Sequence, residues 1–386
     1  MQIRMQVIEN RKMKNMFIIT LLTIFILVNA FVYFRIRGVL PNSIHAKIVF
    51  NLIFFAIIGI FLFGIFFRSH LSPRIFSIIN NYSITWLLAA FYFMLICAVV
   101  GIINILNNRF HFLPLDTHTL SARRLIIFVE FAFIALIFII GRYNFNNKIV
   151  EKLDISISKK AKIETLKIVA ASDLHLGYSN NKSDFKKMVD LINSQNPDII
   201  LLVGDIADMH SQPMTAQNMK EEFLQFRAPL GIYAVVGNHE CYGDTENTVE
   251  YLESAGVIVL RDSLVLLNSD IYIVGRNDKA IRNRKELNTL LKNIDKQKPI
   301  ILLDHQPFNL KQAQDNGVDL QLSGHTHAGQ VFPFTLITKW VYEQQHGYLK
   351  KGETHYYISS GIGAWGPKLR IGSQSEIVNI TLRFEK

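Results

Sequence analysis

The sequence is poor in cysteine, with only Cys97 and Cys241 in 386 residues. One falls in a long apolar run and the other in a polar region, so no disulfide framework is expected and the redox compartment stays open. Charge is also scarce, at 19% of residues against 50% hydrophobic. That shortage is concentrated before residue 142, where apolar runs alternate with short polar gaps. The first run lacks both a preceding Arg-Arg pair and a small-residue cleavage site, since Phe31-Val32-Tyr33-Phe34 closes it. It therefore reads as an uncleaved anchor and not as a signal peptide. The net charge of +10 would suit nucleic acid, but the excess gathers at Arg11, Lys12, Lys14, Arg142, Lys148, Lys159, Lys160 and Lys162. Those positions flank the apolar region, so contact with anionic lipid is expected and nucleic acid is not.

What is present in the first third is length. Four stretches, Met16–Phe34, Ile48–Phe67, Ile84–Leu106 and Leu125–Ile140, approach the roughly 20 residues that a helix needs to cross a bilayer core. An N-terminal all-α region of four transmembrane helices over 16–142 is expected, after a cytoplasmic tail at 1–15 and before a basic juxtamembrane linker at 143–163. The tail, the Arg68–Arg74 loop and 142–162 together hold twice as many Lys and Arg as the two loops on the other side. This bias predicts a multi-pass protein of the inner or plasma membrane whose C-terminal domain faces the cytoplasm. Glu130 lies within the fourth stretch and is expected to serve helix packing, by a hydrogen bond or by pairing with Arg123.

From residue 164 onward the pattern is α/β. Apolar strands are predicted at Leu166–Ser172, Asp198–Val203, Gly231–Val236, Pro299–Leu303 and Val318–Ser323, and β hairpin-like segments close the chain. Helices are predicted at Ser183–Gln195, with Ser183 as N-cap, at 215–227, at Thr245–Ala255 and near Arg284–Ile294. Each of the five strands ends in metal-ligand residue types: Asp173-Leu174-His175, Gly204-Asp205 with Asp208, Gly237-Asn238-His239-Glu240, Asp304-His305, and Gly324-His325-Thr326-His327. Strand ends on one edge of such a sheet converge, so the five loops are expected to share a crevice. Its carboxylates, amide and imidazoles, without a thiolate, suit two divalent or trivalent ions, Mn²⁺, Fe²⁺/³⁺ or Zn²⁺. A pair of ions with open positions clamps an in-line displacement at phosphorus. Glycines at 204, 237 and 324 let the backbone approach the ions.

The ordered series DLH, GDIAD, GNHE, DHQP and GHTHAGQ, with the later GIGAWGPKLRIG, resembles the calcineurin-like metallophosphoesterase superfamily, and within it the membrane-associated YaeI/YkuE-like branch. The resemblance covers about residues 164–386. It implies an αββα sandwich of two mixed sheets and direct hydrolysis with no covalent intermediate. It also implies that Asp173, His175, Asp205 and His327 hold one metal, that Asp205 bridges to a second held with Asn238, His305 and His325, and that His239 is the catalytic residue beside the leaving group. Imidazole titrates near neutral pH, which fits that last role.

The chain departs from the phosphoprotein phosphatases of the superfamily, for Met209-His210 follows GDIAD where those carry Arg-Gly. Asp208 reads as an orienting residue, Cys241 as a packing residue, and Ala328 replaces a glycine of the branch. The branch includes enzymes similar to UDP-2,3-diacylglucosamine pyrophosphatases, so a lipid-linked phosphodiester or pyrophosphate is the leading substrate. A soluble phosphodiester such as a cyclic nucleotide, and a non-catalytic membrane sensor or scaffold, stay open as alternatives. The apolar stretch from Val331 to Tyr342 has two readings, a ramp for an acyl chain or simple core.

Overall fold

The computed structural model describes residues 20, 22–112, 117 and 119–385, with Ser69 as backbone only. It forms two units, one ending at Ile137 and one beginning at Phe138.

In the first unit residues 22–37 are helical (α1), followed by α2 (Ile44–Phe66), α3 (Pro73–Phe110) and α4 (Leu120–Asn146), which runs on into the second unit. Among the described residues, α2, α3 and α4 are long and apolar enough to cross a membrane. The cytoplasmic tail expected at 1–15 and the start of the first expected span, Met16–Ile19, lie outside the described residues. Ser43 and Ser72 cap α2 and α3 with their side chains, and Pro73 occupies the first turn of α3. That start signal carries α3 well ahead of the expected Ile84. Glu130 is buried, but its partner is not Arg123: Arg35 Nη2 lies 3.7 Å from Oε1, and Cys97 Sγ donates to Oε2 at 3.6 Å. The carboxylate thus ties α4 to α1 and α3, the packing role that an intramembrane acid with neighbours on two helices can fill.

In the second unit the strands are β1 (Ile149–Lys160), β2 (Thr165–Ala171), β3 (Ile199–Val203), β4 (Ile232–Val235), β5 (Ile258–Val259), β6 (Ser263–Leu267), β7 (Ile271–Gly275), β8 (Ile300–Leu303), β9 (Leu320–Ser323), β10 (Gly347–Lys351), β11 (Thr354–Ile358) and β12 (Glu376–Glu385). They build two six-stranded mixed sheets, β1-β12-β2-β3-β4-β5 and β10-β11-β9-β8-β7-β6. Strands β2 to β5 are parallel, as are β7, β8, β9 and β11. Alternation along the strands sorts the side chains into layers. Ile168, Leu201 and Val235 meet Ile273, Ile301 and Leu322 between the sheets. On the outer face of the first sheet, Val169 and Leu202 pack on Phe185 and Met188 of α5 (Lys182–Asn193). Outside the second sheet, Val274 and Leu302 pack on Leu287 and Leu310. Helices therefore cover both outer faces of a two-sheet sandwich.

Several local expectations give way to tertiary structure. The segment 143–163 is no linker, because β1 pairs in parallel with β12 along its length. Ile155 and Ile157 turn inward while Lys152, Asp154 and Ser156 face out. The cap of α5 is Asn181, not Ser183: its side chain accepts from the Ser183 and Asp184 amides, and Asp184 returns a bond to the Asn181 amide. The helix expected over 215–227 is two short turns, Gln212–Ala216 and Lys220–Phe223, interrupted where Asn218 takes φ 51°. The one near Arg284–Ile294 shrinks to Leu287–Leu290. The chain's end is not all hairpin either, for β12 returns to the first sheet between β1 and β2.

Candidate metal centre

The parallel strands β2, β3, β4, β8 and β9 present their carboxyl ends to one edge, and short hydrogen bonds lock the loops that follow. The amides of Asp173 and His175 donate to Gly204 O at 3.0 Å and Asp205 O at 2.9 Å, and Gly324 N donates to His305 O at 2.9 Å. The sheets are stitched together where His325 N donates to both Asp173 carboxylate oxygens at 3.1 Å. They are stitched again where His305 Nδ1 lies 2.8 Å from Val203 O. A carbonyl only accepts, so Nδ1 carries a proton and Nε2 is the nitrogen turned toward Asp205. The chain bends sharply to do this. Asp173, His175, Asp205, His325 and His327 all have positive φ, between 46° and 70°, a conformation that costs a non-glycine residue about 1–3 kcal/mol. Gly237 is required as glycine, because a Cβ there would collide with the Asp205 carboxylate.

Of the eight residues singled out from the sequence, six fall into two ligand groups, His239 stands beside them, and Asn238 precedes His239 in the β4 loop. Asp173, His175 and His327 offer ligand atoms within 4.8 Å of one another, and so do Asp205, His305 and His325. Asp205 Oδ2 belongs to both neighbourhoods, 3.8 Å from His175 Nε2 and 3.2 Å from His305 Nε2. Its other oxygen accepts from His239 N at 2.9 Å. In the first group His327 Nε2 stands 3.4 Å from Asp173 Oδ1 and 3.1 Å from His175 Nε2. Asn238 Oδ1 is buried without a hydrogen-bond partner, and His305 Nε2 has only the Asp205 carboxylate beside it. A buried orphan costs about 1–3 kcal/mol, and ions held between these groups would engage both atoms. The donor set therefore fits a pair of metal ions.

The electrostatics agree. Burial pushes His175 and His325 down to about 4, and pushes His327 well below its ordinary range. These imidazoles are neutral at neutral pH, the form that ligates. Burial would also depress His305, but Asp205 beside it overrides that and raises it well above the usual range. Asp205 in turn is held below the usual carboxylate range, His305 outweighing the upward push of burial. His239 stands next to the site, its ring 4.5 Å from that of His175. Its Nδ1 is 3.4 Å from Asp208 Oδ1, and despite burial Asp208 and Asp205 raise its pKa. Burial and then Asp278 push the Cys241 thiol up to about 12, so it is no thiolate nucleophile.

Three residues around the site make contacts that the sequence reading did not assign to them. Glu240, fully buried, accepts from the amides of Ala207 and Gly237 at 2.7 Å each and of Asp205 at 3.2 Å, which fixes the β3 and β4 loops together. Arg370 donates to His327 O at 2.9 Å, Gly361 O at 3.0 Å and Gly363 O at 2.6 Å. Trp365 is half exposed with its ring 6.1 Å from that of His239. All three stand inside motifs that were read, GNHE and GIGAWGPKLRIG, but each also reaches into another loop, Glu240 to the Asp205 and Ala207 amides, Arg370 to His327 O and Trp365 to the His239 ring. The stretch from Val331 to Tyr342 is only partly core: Val331 and Thr335 are buried, while Phe334, Leu336, Ile337, Trp340 and Val341 are exposed.

Residues 166–329 match the model of the calcineurin-like phosphoesterase family. The chain is 34% identical over 245 residues to an uncharacterized metallophosphoesterase of Campylobacter jejuni, covering 61% of this chain and 64% of that one. It is 35% identical over 250 residues to a transmembrane protein with metallophosphoesterase domain from Danio rerio, covering 61% and 55%. To the uncharacterized metallophosphoesterase YkuE of Bacillus subtilis it is 33% identical over 228 residues, covering 56% and 79%. The chain thus spans less than two thirds of the first two relatives and most of the third. With the two-sheet sandwich, the ligand clusters at its edge and these relatives taken together, the chain belongs to the calcineurin-like phosphoesterase family.

Proposed function

We propose that this protein is a membrane-anchored, two-metal phosphoesterase that hydrolyses a phosphodiester or pyrophosphate bond in a lipid-linked substrate, such as a UDP-diacylglucosamine-type precursor. The observation that carries the hydrolytic part is Asp205 Oδ2, which lies within 3.8 Å of a histidine from each ligand group. Asp173, His175, Asp205 and His327 would hold one ion, and Asp205, Asn238, His305 and His325 the other. The donor set suits Mn²⁺, Fe²⁺/³⁺ or Zn²⁺. When bound, such ions supply Lewis acidity and neutralise charge that develops on the phosphoryl oxygens. His239 gives a proton to the departing oxygen. Asp208 beside Nδ1 keeps that nitrogen protonated and leaves Nε2 to face the leaving group. The lipid linkage is supported by three apolar helices in the same chain and by a relative named as a transmembrane protein. The Lys and Arg bias of the flanking segments supports a cytoplasmic catalytic domain in the inner or plasma membrane.

The test is hydrolysis of bis-p-nitrophenyl phosphate by the full chain loaded with Mn²⁺, followed by assay on phospholipid and glycolipid pyrophosphates in mixed micelles. Turnover of the dye ester that Asn238→Ala abolishes supports the hydrolase. No turnover with any metal or substrate would leave a binding domain only. Asp208→Asn is expected to lower kcat by about 10-fold or more. Because Asp208 raises the His239 pKa, and the protonated ring is the acid, its loss moves the alkaline fall in rate to lower pH. An unchanged pH profile of kcat would remove Asp208 from the mechanism.

A further inference from the structure

The helix Phe334–Val341 follows the His327 loop directly and shows its large apolar side chains to the outside. Trp340 is 90% exposed, and Phe334, Ile337 and Val341 are about half exposed. Only Thr335 of this helix is buried. An apolar face that the domain's own core leaves uncovered needs another apolar medium. The structure also indicates which medium. At its root, Phe332 N donates to Ile371 O at 2.7 Å, and Arg370 N, next to Ile371, donates to Gly141 O at 2.9 Å. Gly141 belongs to α4, one of the helices built to cross a membrane, and Asn144 of α4 donates to Arg370 O at 3.1 Å. Ile139, Ile140 and Tyr143 of the same α4 segment are exposed as well. Trp340 and Lys339 side by side are the residue types that settle at the level of lipid headgroups.

We propose that the helix Phe334–Val341 lies in the interface of the lipid bilayer as a second membrane contact, independent of the spanning helices. Its partner is the bilayer surface itself. The consequence for the site follows from its attachments. Beyond the helix, Tyr342 packs its ring 6.2 Å from that of His325. Thr326, between the two histidines of that loop, donates to Gln345 O at 2.5 Å. The loop bearing His325 and His327 is thereby fastened at both ends of the lipid-seated helix. This deepens the lipid-linked reading of the function, but its test does not depend on turnover.

The full chain is reconstituted into phosphatidylethanolamine–phosphatidylglycerol vesicles, with and without lipids brominated high on the acyl chain. Tryptophan emission is compared between the native chain and Trp340→Phe. The difference between the two is the emission of Trp340, and the substitution sits on an exposed ring that the fold does not use. For a helix seated in the interface, the difference emission falls about twofold or more in brominated vesicles and resists iodide in the water phase. Quenching by iodide and not by brominated lipid would overturn the proposal by placing the ring in water. Resistance to both quenchers would also overturn it, by showing the face covered by protein, such as a second copy. A hydrolytically inactive preparation that still passes the quenching test separates failure of the enzymatic reading from failure of this one.

Discussion

Asp205→Ala is expected to lower hydrolysis of bis-p-nitrophenyl phosphate by on the order of 10³-fold and to reduce bound metal from two ions per chain to one or none. The carboxylate faces His175 in one ligand group and His305 in the other, so its removal opens both sites at once. Loss of several kcal/mol of charge stabilisation at phosphorus corresponds to that fall, at about 1.4 kcal/mol per tenfold. The buried His305 loses the partner that holds its proton, so the metal-free variant should also melt earlier than the metal-free parent. His325→Ala is the comparison, because it touches one group only and should retain one tightly bound ion. Metal analysis on the purified chain and a kcat measurement read both effects. Two ions bound to Asp205→Ala with undiminished kcat would end the shared-carboxylate account.

The candidate ligand clusters were legible because they are made of side-chain types at fixed offsets. Asp173 and His175, or His325 and His327, each follow an apolar strand, and parallel strands bring their ends together by topology alone. Their left-handed backbone was not legible, since nothing in an Asp or His announces positive φ. The supports were invisible for another reason. Glu240 was read as the last letter of GNHE, but what it does depends on the amides of Asp205 and Ala207, which only the folded sheet places beneath it. β1 was missed because its outward Lys152, Asp154, Ser156 and Lys160 resemble a basic linker, and the alternation of Leu153, Ile155 and Ile157 between them is short. Glu130 was given the right kind of role and the wrong partner, since helix-face geometry points to Arg123 and the packed helices supply Arg35. Local pattern thus reads which side-chain types gather at the strand ends, and long-range contact decides which groups act on the backbone.

Arg370→Met tests the most deeply placed of those supports. The side chain is 0% exposed, and its guanidinium serves the carbonyls of His327, Gly361 and Gly363. Burial holds its pKa down to about 10, so it stays charged at neutral pH, and its planar fork reaches acceptors in several directions. Met has a comparable stem and no donors, so Gly363 O loses its partner, while His327 O keeps only the Gln330 amide and Gly361 O only the Glu376 amide. At about 1–3 kcal/mol for the one unsatisfied carbonyl and about 1 kcal/mol for each of the two other hydrogen bonds lost, less the relief of removing a buried charge, a loss on the order of 3 kcal/mol is expected in the melting of the metal-free chain. Because one of those carbonyls belongs to His327 itself, metal affinity should fall about 10- to 100-fold as well. Arg370→Lys keeps the charge but offers one compact head, and it should recover only part of either loss. The two readouts separate the possible roles: a residue that merely fills space would lower the melting temperature in both variants and leave metal affinity where it was. A residue that aims His327 moves both together, and on these contacts Arg370 is of the second kind.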